Sequence, residues 1–315
     1  MLVMTRRTFL KTTAAAGLAT SILPVWAAGH SPAPAPLEVH IFSKHLHFLG
    51  YESLAAKARE LGFAGVDLTV RPDGHVSPER VTRDLPRAIE AMRAEGLRPV
   101  MMTTAITMPD QQARNILQTA REAGITHYRT GWIAYPPSGP VPEALEQARR
   151  QLAALTHLNQ ELGMAGAYQN HTGAYLGAAI WDLWQILRDL PPGSLGSQYD
   201  VRHATAEGGY AWYNNLRLIA PYINSLAIKD FTWQQTPSGW EAVSVPLGTG
   251  MVDFVRYFRL LQSLGIRVPV SLHLEYPLGG ADQGNRKLTV EPSVVYAAMQ
   301  RDLEQVQALW QAAAQ

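Results

Sequence analysis

The sequence predicts a single (β/α)8 TIM barrel that follows an N-terminal export signal. Short apolar runs alternate with amphipathic stretches of helical periodicity along most of the 315 residues. This alternation is typical of a parallel sheet whose strands are joined by helices. Five of the predicted helices end in glycine, at Gly62, Gly96, Gly124, Gly163 and Gly265. Their spacing clusters around 34 residues or a multiple of it, roughly what one strand, one helix and two loops occupy.

Composition excludes several other classes of protein. The chain is 47% hydrophobic and 17% charged, as expected of a packed globular protein rather than a disordered one. It contains no cysteine, so neither a disulfide scaffold nor a thiolate metal site can form. Its net charge of +1 gives no basic surface for nucleic acid. We therefore expect no nucleic-acid partner.

Residues 1–28 are predicted to be a signal peptide. The run Thr5-Arg6-Arg7-Thr8-Phe9-Leu10-Lys11 resembles the twin-arginine export motif, and an Ala-rich apolar stretch follows it. That stretch is short and weakly apolar, so we expect cleavage near Ala28 rather than a stable membrane anchor. Removing its three basic residues from the 27 leaves 24 against 26 acids. Export to the periplasm or the medium is predicted, followed by a Pro/Ala linker over residues 29–36 and the barrel over residues 37–315.

The barrel elements are predicted in order from the apolar runs and the helical stretches. The eight strands are expected near residues 37–43, 65–70, 98–104, 126–131, 164–170, 197–201, 223–229 and 268–275. The helices that follow them are expected near residues 51–61, 78–95, 109–123, 142–162, 176–189, 207–219, 251–264 and 292–311. An open doubly wound sheet is the alternative, but no Gly-rich phosphate loop follows the first strand.

Polar residues gather where these strands end, although the strand bodies are apolar. In a TIM barrel the carboxyl ends of the strands and the loops after them carry the chemistry. The groups that we expect at one mouth are His45, Asp67, Arg129, Gln169, His171, Asp200, His203, Lys229, His273 and Glu275. Asp67, Arg71, His75 and Arg129 are candidates to hold substrate hydroxyls or a carboxylate. The long segment after the seventh strand, residues 231–250, is a candidate lid.

The strand ends Gln169-Asn170-His171, Asp200-Val201-Arg202-His203, Lys229-Asp230 and Glu275 occur in an order that resembles the sugar phosphate isomerase/epimerase family, the xylose-isomerase-like TIM barrels. The loop Leu247-Gly248-Thr249-Gly250 matches the family as well. The resemblance covers roughly residues 37–311. It implies an enzyme that acts on a carbohydrate, here an unphosphorylated sugar or sugar derivative, since phosphorylated sugars are scarce outside the cytoplasm.

The resemblance also implies one divalent metal, held by Glu, Asp, His and Glu from strands 5 to 8. Asp200 and Glu275 match that pattern, whereas Gln169 stands in place of the first Glu and Ala227 in place of the His. His203 is a further candidate ligand. An oxygen-rich set of this kind suits Mn²⁺ or Mg²⁺, with Zn²⁺ as an alternative.

The expected reaction is proton abstraction from a carbon next to a carbonyl. Family epimerases use two carboxylate bases, and Gln169 cannot accept a proton at neutral pH. Glu275 is therefore the expected base, with His171 as its partner and Lys229 as the group that stabilises an oxyanion. His45, Asp67, Arg129, His203 and His273 are expected to contact substrate.

Three other functions remain open from the sequence. A lyase acting on a keto-sugar or glycoside would use the same scaffold. A non-catalytic carbohydrate-binding barrel would explain the changes at Gln169 and Ala227. A metal-dependent hydrolase or nuclease is less consistent with the charge balance. A homo-oligomer is compatible with the exposed aromatic residues expected in the loops.

Overall fold

A computed structural model describes residues 35–315 of the chain. The predicted signal peptide, and all of the predicted linker except its last two residues, lie outside the described residues. Within residues 35–315, no helix is long and apolar enough to cross a membrane.

Eight parallel strands close into a barrel, as the sequence predicts. Their order around the barrel is β1-β10-β7-β6-β5-β4-β3-β2, so each strand pairs with its neighbours in the chain apart from the inserted hairpin of β8 and β9. The barrel strands are β1 (Val39–Phe42), β2 (Gly65–Val70), β3 (Met101–Thr104), β4 (His127–Arg129), β5 (Ala165–Gln169), β6 (Leu195–Asp200), β7 (Ile223–Ile228) and β10 (Val270–Leu272).

Helices follow the strands and pack outside the barrel. They are α1 (Tyr51–Glu60), α2 (Val81–Ala94), α3 (Gln111–Glu122), α4 (Val141–Leu162), α5 (Ile180–Leu187), α6 (Val201–Gly208), α7 (Trp212–Ile219), α8 (Phe254–Ser263) and α9 (Pro292–Ala312). The five predicted glycine stops lie just after α1, α2, α3, α4 and α8. All five have positive φ angles, between 64° and 88°, which a residue with a side chain adopts only under strain.

Two features differ from the sequence expectation. The helix expected from residue 207 begins earlier, because α6 starts directly at the end of β6 with Asp200 as its N-cap. The Asp200 carboxylate accepts a hydrogen bond from the backbone nitrogen of His203 at 3.1 Å, which satisfies one free donor of the first turn. The segment expected to be a lid forms an antiparallel hairpin of β8 (Asp230–Thr236) and β9 (Gly239–Val245).

Asp230 fixes the base of this hairpin and the glycine loop that follows it. Its buried carboxylate accepts backbone hydrogen bonds from Phe231, Gly248, Gly250 and Val252 at 2.8–3.3 Å. A Cβ atom on Gly250 would lie 2.3 Å from the Asp230 carboxylate, so only glycine fits there. The Lys-Asp and Leu-Gly-Thr-Gly motifs are therefore joined in one structural unit, which sets the position of Lys229 at the barrel mouth.

Candidate active site

The carboxyl ends of the barrel strands bring the predicted polar residues to one mouth. Gln169 and Asp200 are the last residues of β5 and β6, and Lys229 follows β7 directly. Glu275 lies three residues beyond β10. The side chain of Glu275 is 26% exposed, whereas those of Lys229 and Asp200 are almost completely buried. Glu275 is therefore the member of this group that faces the open mouth.

Lys229 connects the two carboxylates of the site. Its Nζ lies 2.8 Å from Oε2 of Glu275 and 3.3 Å from Oδ2 of Asp200. Burial is the largest single influence on the pKa of Glu275 and raises it, but the neighbouring Lys229, His273 and Lys44 together outweigh burial and hold that pKa well below its usual range. Glu275 is therefore ionised at neutral pH.

Gln169 is oriented by a cation on one side and a carboxylate on the other. Arg129 donates from Nη1 to Oε1 of Gln169 at 2.7 Å, and Gln169 donates from Nε2 to Oδ2 of Asp200 at 2.8 Å. The neighbouring Asn170 bonds both the backbone nitrogen and the carbonyl of Asp200, at 2.8 and 2.9 Å. The site therefore presents the nitrogen of Gln169 to Asp200, whereas its oxygen is already bonded to Arg129.

His203 is neutral and its tautomer follows from its partners. Its Nδ1 accepts from the backbone nitrogen of Thr172 at 3.2 Å and from Nη1 of Arg202 at 2.9 Å, which places the proton on Nε2. Nε2 lies 3.7 Å from Oδ2 of Asp200 and has no hydrogen-bond partner within residues 35–315. Burial, and then the charge of Lys229, lowers the pKa of His203 well below its ordinary value.

His171 lies against His203 and offers an unprotonated ring nitrogen. The two rings are 4.1 Å apart, and Trp132 covers His171 at 4.6 Å. Nδ1 of His171 donates to the carbonyl of Thr172 at 2.9 Å. Burial, and then Lys229, lowers the pKa of His171, so the ring is neutral and Nε2 is left as a proton acceptor.

A chain of buried hydrogen bonds runs below the mouth and ends at His273, next to Glu275. Asp67 accepts from Thr103 at 2.9 Å and from Ser271 at 2.7 Å, and Ser271 accepts from Nε2 of His273 at 3.1 Å. Nδ1 of His273 then lies 3.7 Å from Oε1 of Glu275. The structure therefore places Asp67 beneath the mouth, where it orients Ser271 and His273.

His45 is also placed inside the protein. Its Nδ1 donates to the carbonyl of Ala281 at 3.2 Å, and its Nε2 accepts from the backbone nitrogen of Leu274 at 3.0 Å. Both ring nitrogens are thus used, and the side chain is completely buried. In this position His45 fixes the backbone next to Glu275. His75, likewise buried, bonds Ser43 and the carbonyl of Leu46 at 3.1 and 3.2 Å.

Two cations at the mouth were not assigned a role from the sequence. Nζ of Lys44 lies 3.7 Å from Oε1 of Glu275. The sequence signal that could have identified Lys44 is its position in the turn directly after the first strand. Arg202 bonds His203 and also donates from Nη2 to the carbonyl of Ala242 in β9 at 2.6 Å. No pattern in the sequence could have paired Arg202 with the hairpin, because the contact spans 40 residues.

The residues of this mouth do not fit a divalent cation. Within residues 35–315, no group of three or more His, Asp or Glu side chains is arranged to hold a metal. The position between Asp200 and Glu275 is taken by the ammonium of Lys229, and Gln169 directs an N–H donor toward Asp200. Ala227, in register with Asp200, offers no donor atom. A metal here would meet a positive charge where it needs a ligand.

A cavity of about 500 Å³ lies at the opposite end of the barrel. Leu37, His40, Arg98, Val100 and Pro269 line part of it, before or at the beginnings of their strands. Conserved chemistry in TIM barrels is located at the other face, where the carboxyl ends of the strands meet. The polar cluster around Lys229 is therefore the candidate active site.

Two family models match the chain. A model described as xylose isomerase-like TIM barrel matches residues 55–291. A model of the twin-arginine translocation pathway signal sequence matches residues 3–22, so the chain carries an export signal and is a periplasmic or secreted protein. Among curated proteins, none matches the chain.

Solved structures of similar fold cover most of the chain at low identity. D-psicose 3-epimerase with D-tagatose, from Clostridium cellulolyticum H10, has a TM-score of 0.65 and 11% identity, covering 87% of this chain and 99% of its own. The probable 3-DHS dehydratase AsbF of petrobactin synthesis, from Bacillus anthracis, has a TM-score of 0.64 and 13% identity, covering 84% and 97%.

A third similar structure is a xylose isomerase-like TIM barrel protein from Mycobacterium smegmatis in complex with magnesium. It has a TM-score of 0.60 and 15% identity, covering 87% of this chain and 97% of its own. At these identities the three structures support the fold alone. The family model, however, spans well over half of the sequence. The chain therefore belongs to the xylose isomerase-like TIM barrel family.

Proposed function

We propose that the protein is a sugar isomerase or epimerase-type enzyme, which moves a proton at a carbon next to a carbonyl of an unphosphorylated sugar or sugar derivative. The observation that carries this proposal is the buried ammonium of Lys229 between Asp200 and Glu275, beside the neutral ring of His171. Such a site combines a fixed positive charge with two proton acceptors of different kinds. These are the groups that carbon-acid chemistry requires.

The positive charge of Lys229 serves the oxygen of the substrate carbonyl. When a proton leaves the neighbouring carbon, negative charge develops on that oxygen as an enediolate forms. A buried ammonium that is already in place stabilises this charge without reorganisation of solvent. Asp200 and Gln169 keep the amine positioned, because Asp200 contacts Lys229 directly and Gln169 bonds Asp200.

Glu275 is the proposed base, and its pairing with Lys229 controls its basicity. In the free site the ion pair holds the pKa of Glu275 well below its usual range, so the carboxylate is a weak base. As Lys229 turns its charge toward the developing oxyanion, its hold on Glu275 weakens and the carboxylate becomes more basic. Glu275 takes the proton from carbon and returns it to the neighbouring carbon, while the hydroxyl proton moves to the former carbonyl oxygen. Together these two transfers convert an aldose to a ketose or the reverse.

His171 is the proposed second proton carrier. Its unprotonated Nε2 makes no hydrogen bond within residues 35–315, and Trp132 and His203 hold the ring in place. If His171 first takes up a proton from solvent on Nε2, it can deliver that proton to the opposite face of the carbon that Glu275 has deprotonated, and Glu275 then releases its proton to solvent. The carbon is inverted, which is epimerisation. Isomerisation and epimerisation thus differ in the group that returns the proton and in the carbon that receives it.

A divalent metal is not included in this proposal, although the family resemblance led us to expect Mn²⁺ or Mg²⁺. The magnesium complex among the similar structures concerns that protein. In this chain the donor set at the mouth does not fit such an ion, and the charge that a metal would supply is present as Lys229.

A lyase reaction is the second candidate. The same base and the same cation would begin it, and a leaving hydroxyl or glycosidic oxygen would then take a proton from a neighbouring acid. One of the similar structures is described as a probable 3-DHS dehydratase, a description that supports elimination as a candidate reaction. The neutral Nε2–H of His203 is the donor in this site that could serve the leaving oxygen.

The proposal is tested by proton exchange with solvent. Purified exported protein is incubated in D₂O with a panel of unphosphorylated ketoses, keto-glycosides and sugar acids, and deuterium at carbon is measured by NMR. We expect incorporation next to the carbonyl of at least one compound. Glu275→Gln should reduce its rate by roughly 10²–10⁴, the usual cost of losing a general base.

Three outcomes separate the alternatives. Glu304→Gln, on the exposed surface of α9, is the matched control and should exchange at the wild-type rate. Normal exchange in Glu275→Gln would remove Glu275 as the base. Sugar binding without exchange of any compound would instead identify a non-catalytic carbohydrate-binding barrel, and new unsaturated products would identify a lyase.

A further inference from the structure

Two arginines at the mouth lie over the same aromatic ring. Arg71 follows β2, Arg129 ends β4 and Phe42 ends β1. The Cζ atoms of Arg71 and Arg129 lie 5.7 and 5.6 Å from the centre of the Phe42 ring, within the range of cation–π contacts. Phe42 is itself fixed by the ring of His273, stacked on it at 4.3 Å. Two guanidinium groups are thus held beside each other, although their charges repel.

The hydrogen-bond donors of these guanidinium groups are largely unused. Within residues 35–315, the side chain of Arg71 makes no hydrogen bond or ion pair; its recorded contact is with Phe42. Arg129 is only 3% exposed and donates from Nη1 to Gln169, but its buried Nε has no partner. A buried donor without an acceptor destabilises the protein, so the unpaired Nε of Arg129, with the half-buried guanidinium of Arg71 over the same ring, indicates a place for an acceptor that binds.

Nearby carboxylates do not satisfy these arginines. Asp67 accepts from Thr103 and Ser271, and Asp200 accepts from Gln169. Glu275 pairs with Lys229 at 2.8 Å. The acids of the mouth are therefore engaged elsewhere, and each arginine keeps free N–H groups.

The charge around the two arginines is unbalanced. The group formed by Lys44, Arg71, Arg129, Lys229, Asp67, Asp200 and Glu275 contains four cations and three carboxylates. Burial, followed by the charge of Arg71, lowers the pKa of Arg129 to about 10. Burial also lowers the pKa of Lys44. An anion placed between the arginines would relieve this repulsion.

We propose that Arg71 and Arg129 bind a carboxylate of the substrate, so that the substrate is an acidic sugar or sugar derivative. This rests on the proposed function, in which the substrate is unphosphorylated and a carboxylate is the anion that such a sugar carries. A guanidinium offers two parallel N–H groups in its plane, which match the two oxygens of a carboxylate.

The arrangement leaves those planar edges available for the ligand. Phe42 contacts both guanidinium groups, and Trp132 lies 4.6 Å from Cζ of Arg129. A cation–π contact uses none of the N–H groups as a hydrogen-bond donor, so these contacts leave the remaining N–H groups of both arginines available to an acceptor. A carboxylate held there orients the rest of the sugar across the mouth, toward Lys229 and Glu275.

Calorimetry on the purified exported protein tests the proposal without turnover. D-glucuronate, D-galacturonate and D-gluconate are compared with D-glucose and D-galactose, and with glucose 6-phosphate as the phosphate arm. We expect at least one carboxylate to bind about tenfold or more tightly than its neutral parent, as a charge-assisted pair of hydrogen bonds implies. Arg71→Gln should remove this preference, measured as the ratio of the affinity for each acid to the affinity for its neutral parent in the same variant.

Two further variants control for charge and for folding. Arg98→Gln removes the same charge at the other end of the barrel, where Arg98 pairs with Glu38, and should keep the full preference. Arg71→Lys keeps the charge but loses the planar pair of donors, so it should retain only part of the preference. Circular dichroism establishes that each variant is folded.

Each outcome decides the proposal separately from the proposed function. The proposal is overturned if no carboxylate binds more tightly than its neutral parent, if Arg71→Gln keeps the preference, or if only glucose 6-phosphate is preferred. A carboxylate that binds through Arg71 but exchanges no deuterium supports the anion site and contradicts the isomerase. If a neutral ketose exchanges deuterium and the protein shows no preference for acids, the isomerase is supported and the anion site is contradicted.

Discussion

At the scale of single residues, the central feature of the candidate site is Lys229, which lies between two carboxylates. Its Nζ lies within 3.3 Å of two carboxylates, and its side chain is only 3% exposed. A buried ammonium is unfavourable unless it is paired, and here two anions pair it. The same contacts allow the carboxyl groups of Asp200 and Glu275 to lie beside each other, because the cation between them offsets their mutual repulsion.

Removal of Lys229 should create affinity for a divalent cation. In Lys229→Ala, Asp200 and Glu275 would face each other without a shared cation, and an oxygen-rich, negatively charged site attracts Mn²⁺. We expect millimolar Mn²⁺ to raise the melting temperature of this variant, since an ion that binds only the folded state stabilises it. The wild-type protein should show the same melting temperature with Mn²⁺ and with EDTA, measured by differential scanning fluorimetry.

Lys57→Ala is the matched control, because Lys57 forms a surface pair with Glu60 far from the mouth. Its melting temperature should be the same with Mn²⁺ and with EDTA, as expected for the wild type. A melting temperature of the wild type that rises with Mn²⁺ and falls with EDTA would show that Lys229 yields its place to a metal.

Position on a strand could be predicted from the sequence, but contact between side chains could not. Gln169, Asp200, Lys229 and Glu275 were expected at one mouth because each follows an apolar run, and the structure places all four there. The spacing of residues does not reveal that Lys229 lies between the two carboxylates. It also could not distinguish His45, which is enclosed and bonded on both nitrogens, from His171, which keeps one nitrogen free.

At the scale of elements, α6 and the β8–β9 hairpin connect the site to its surroundings. Asp200 is both the last residue of β6 and the N-cap of α6, so the helix fixes the direction of a carboxylate in the candidate site. Arg202, in the first turn of α6, bonds His203 on one side and the β9 carbonyl of Ala242 on the other. A movement of the hairpin would therefore act on His203 through a single side chain.

Asp230 should be the most sensitive position of the hairpin base. Asp230→Ala removes an acceptor from four backbone N–H groups, at about 1 kcal/mol for each hydrogen bond lost. We expect the free energy of unfolding to fall by roughly 3 kcal/mol or more, because those groups are left partly buried. Urea denaturation followed by circular dichroism measures the loss.

The matched control is Asp253→Ala. Asp253 caps α8 and accepts one N–H bond, from Arg256 at 3.1 Å, so its loss should cost only about 1 kcal/mol. Equal losses in the two variants would show that the Asp230 carboxylate does not hold the loop. The hairpin itself could not be predicted from the sequence, because the strands of an exposed hairpin lack the apolar run that identified the barrel strands.

At the scale of the whole molecule, the eight-fold repeat was predictable because each unit carries its own local signals. Gly62, Gly96, Gly124, Gly163 and Gly265 all adopt the positive φ that ends a helix, and every predicted barrel strand is present. The division of the chain at residues 28 and 36 remains a prediction. The signal itself matches a twin-arginine family model over residues 3–22.

The export signal makes a prediction for the full-length chain. Replacing both Arg6 and Arg7 by Lys retains the charge but removes the arginine pair that the signal resembles. We expect full-length precursor to accumulate in the cytoplasm, detected by immunoblotting of cell fractions. Replacing Lys11 by Arg, outside the pair, should leave export unchanged. Unaltered delivery of the double variant would contradict the role of the arginine pair.

Buried histidines should make the folded barrel sensitive to acid. His40, His45, His47 and His75 are at most 7% exposed, and burial is the main cause of the lowered pKa of each. The pKa of His47 falls to about 4 and that of His75 to about 3, against an ordinary value of 6.5. These rings are therefore neutral in the folded protein at a pH where the unfolded chain binds protons.

The sign of the effect follows from this difference. The unfolded state takes up more protons as the pH falls below 6.5, so the stability present above that value is lost on acidification. Each strongly shifted histidine should cost roughly 1 kcal/mol at about pH 5.5. Urea unfolding midpoints between about pH 7.5 and about pH 5.5 measure the slope. His75→Gln should flatten this slope and His157→Gln should not, because His75 is buried whereas His157 lies on the exposed surface. A midpoint that rises on acidification would contradict the argument.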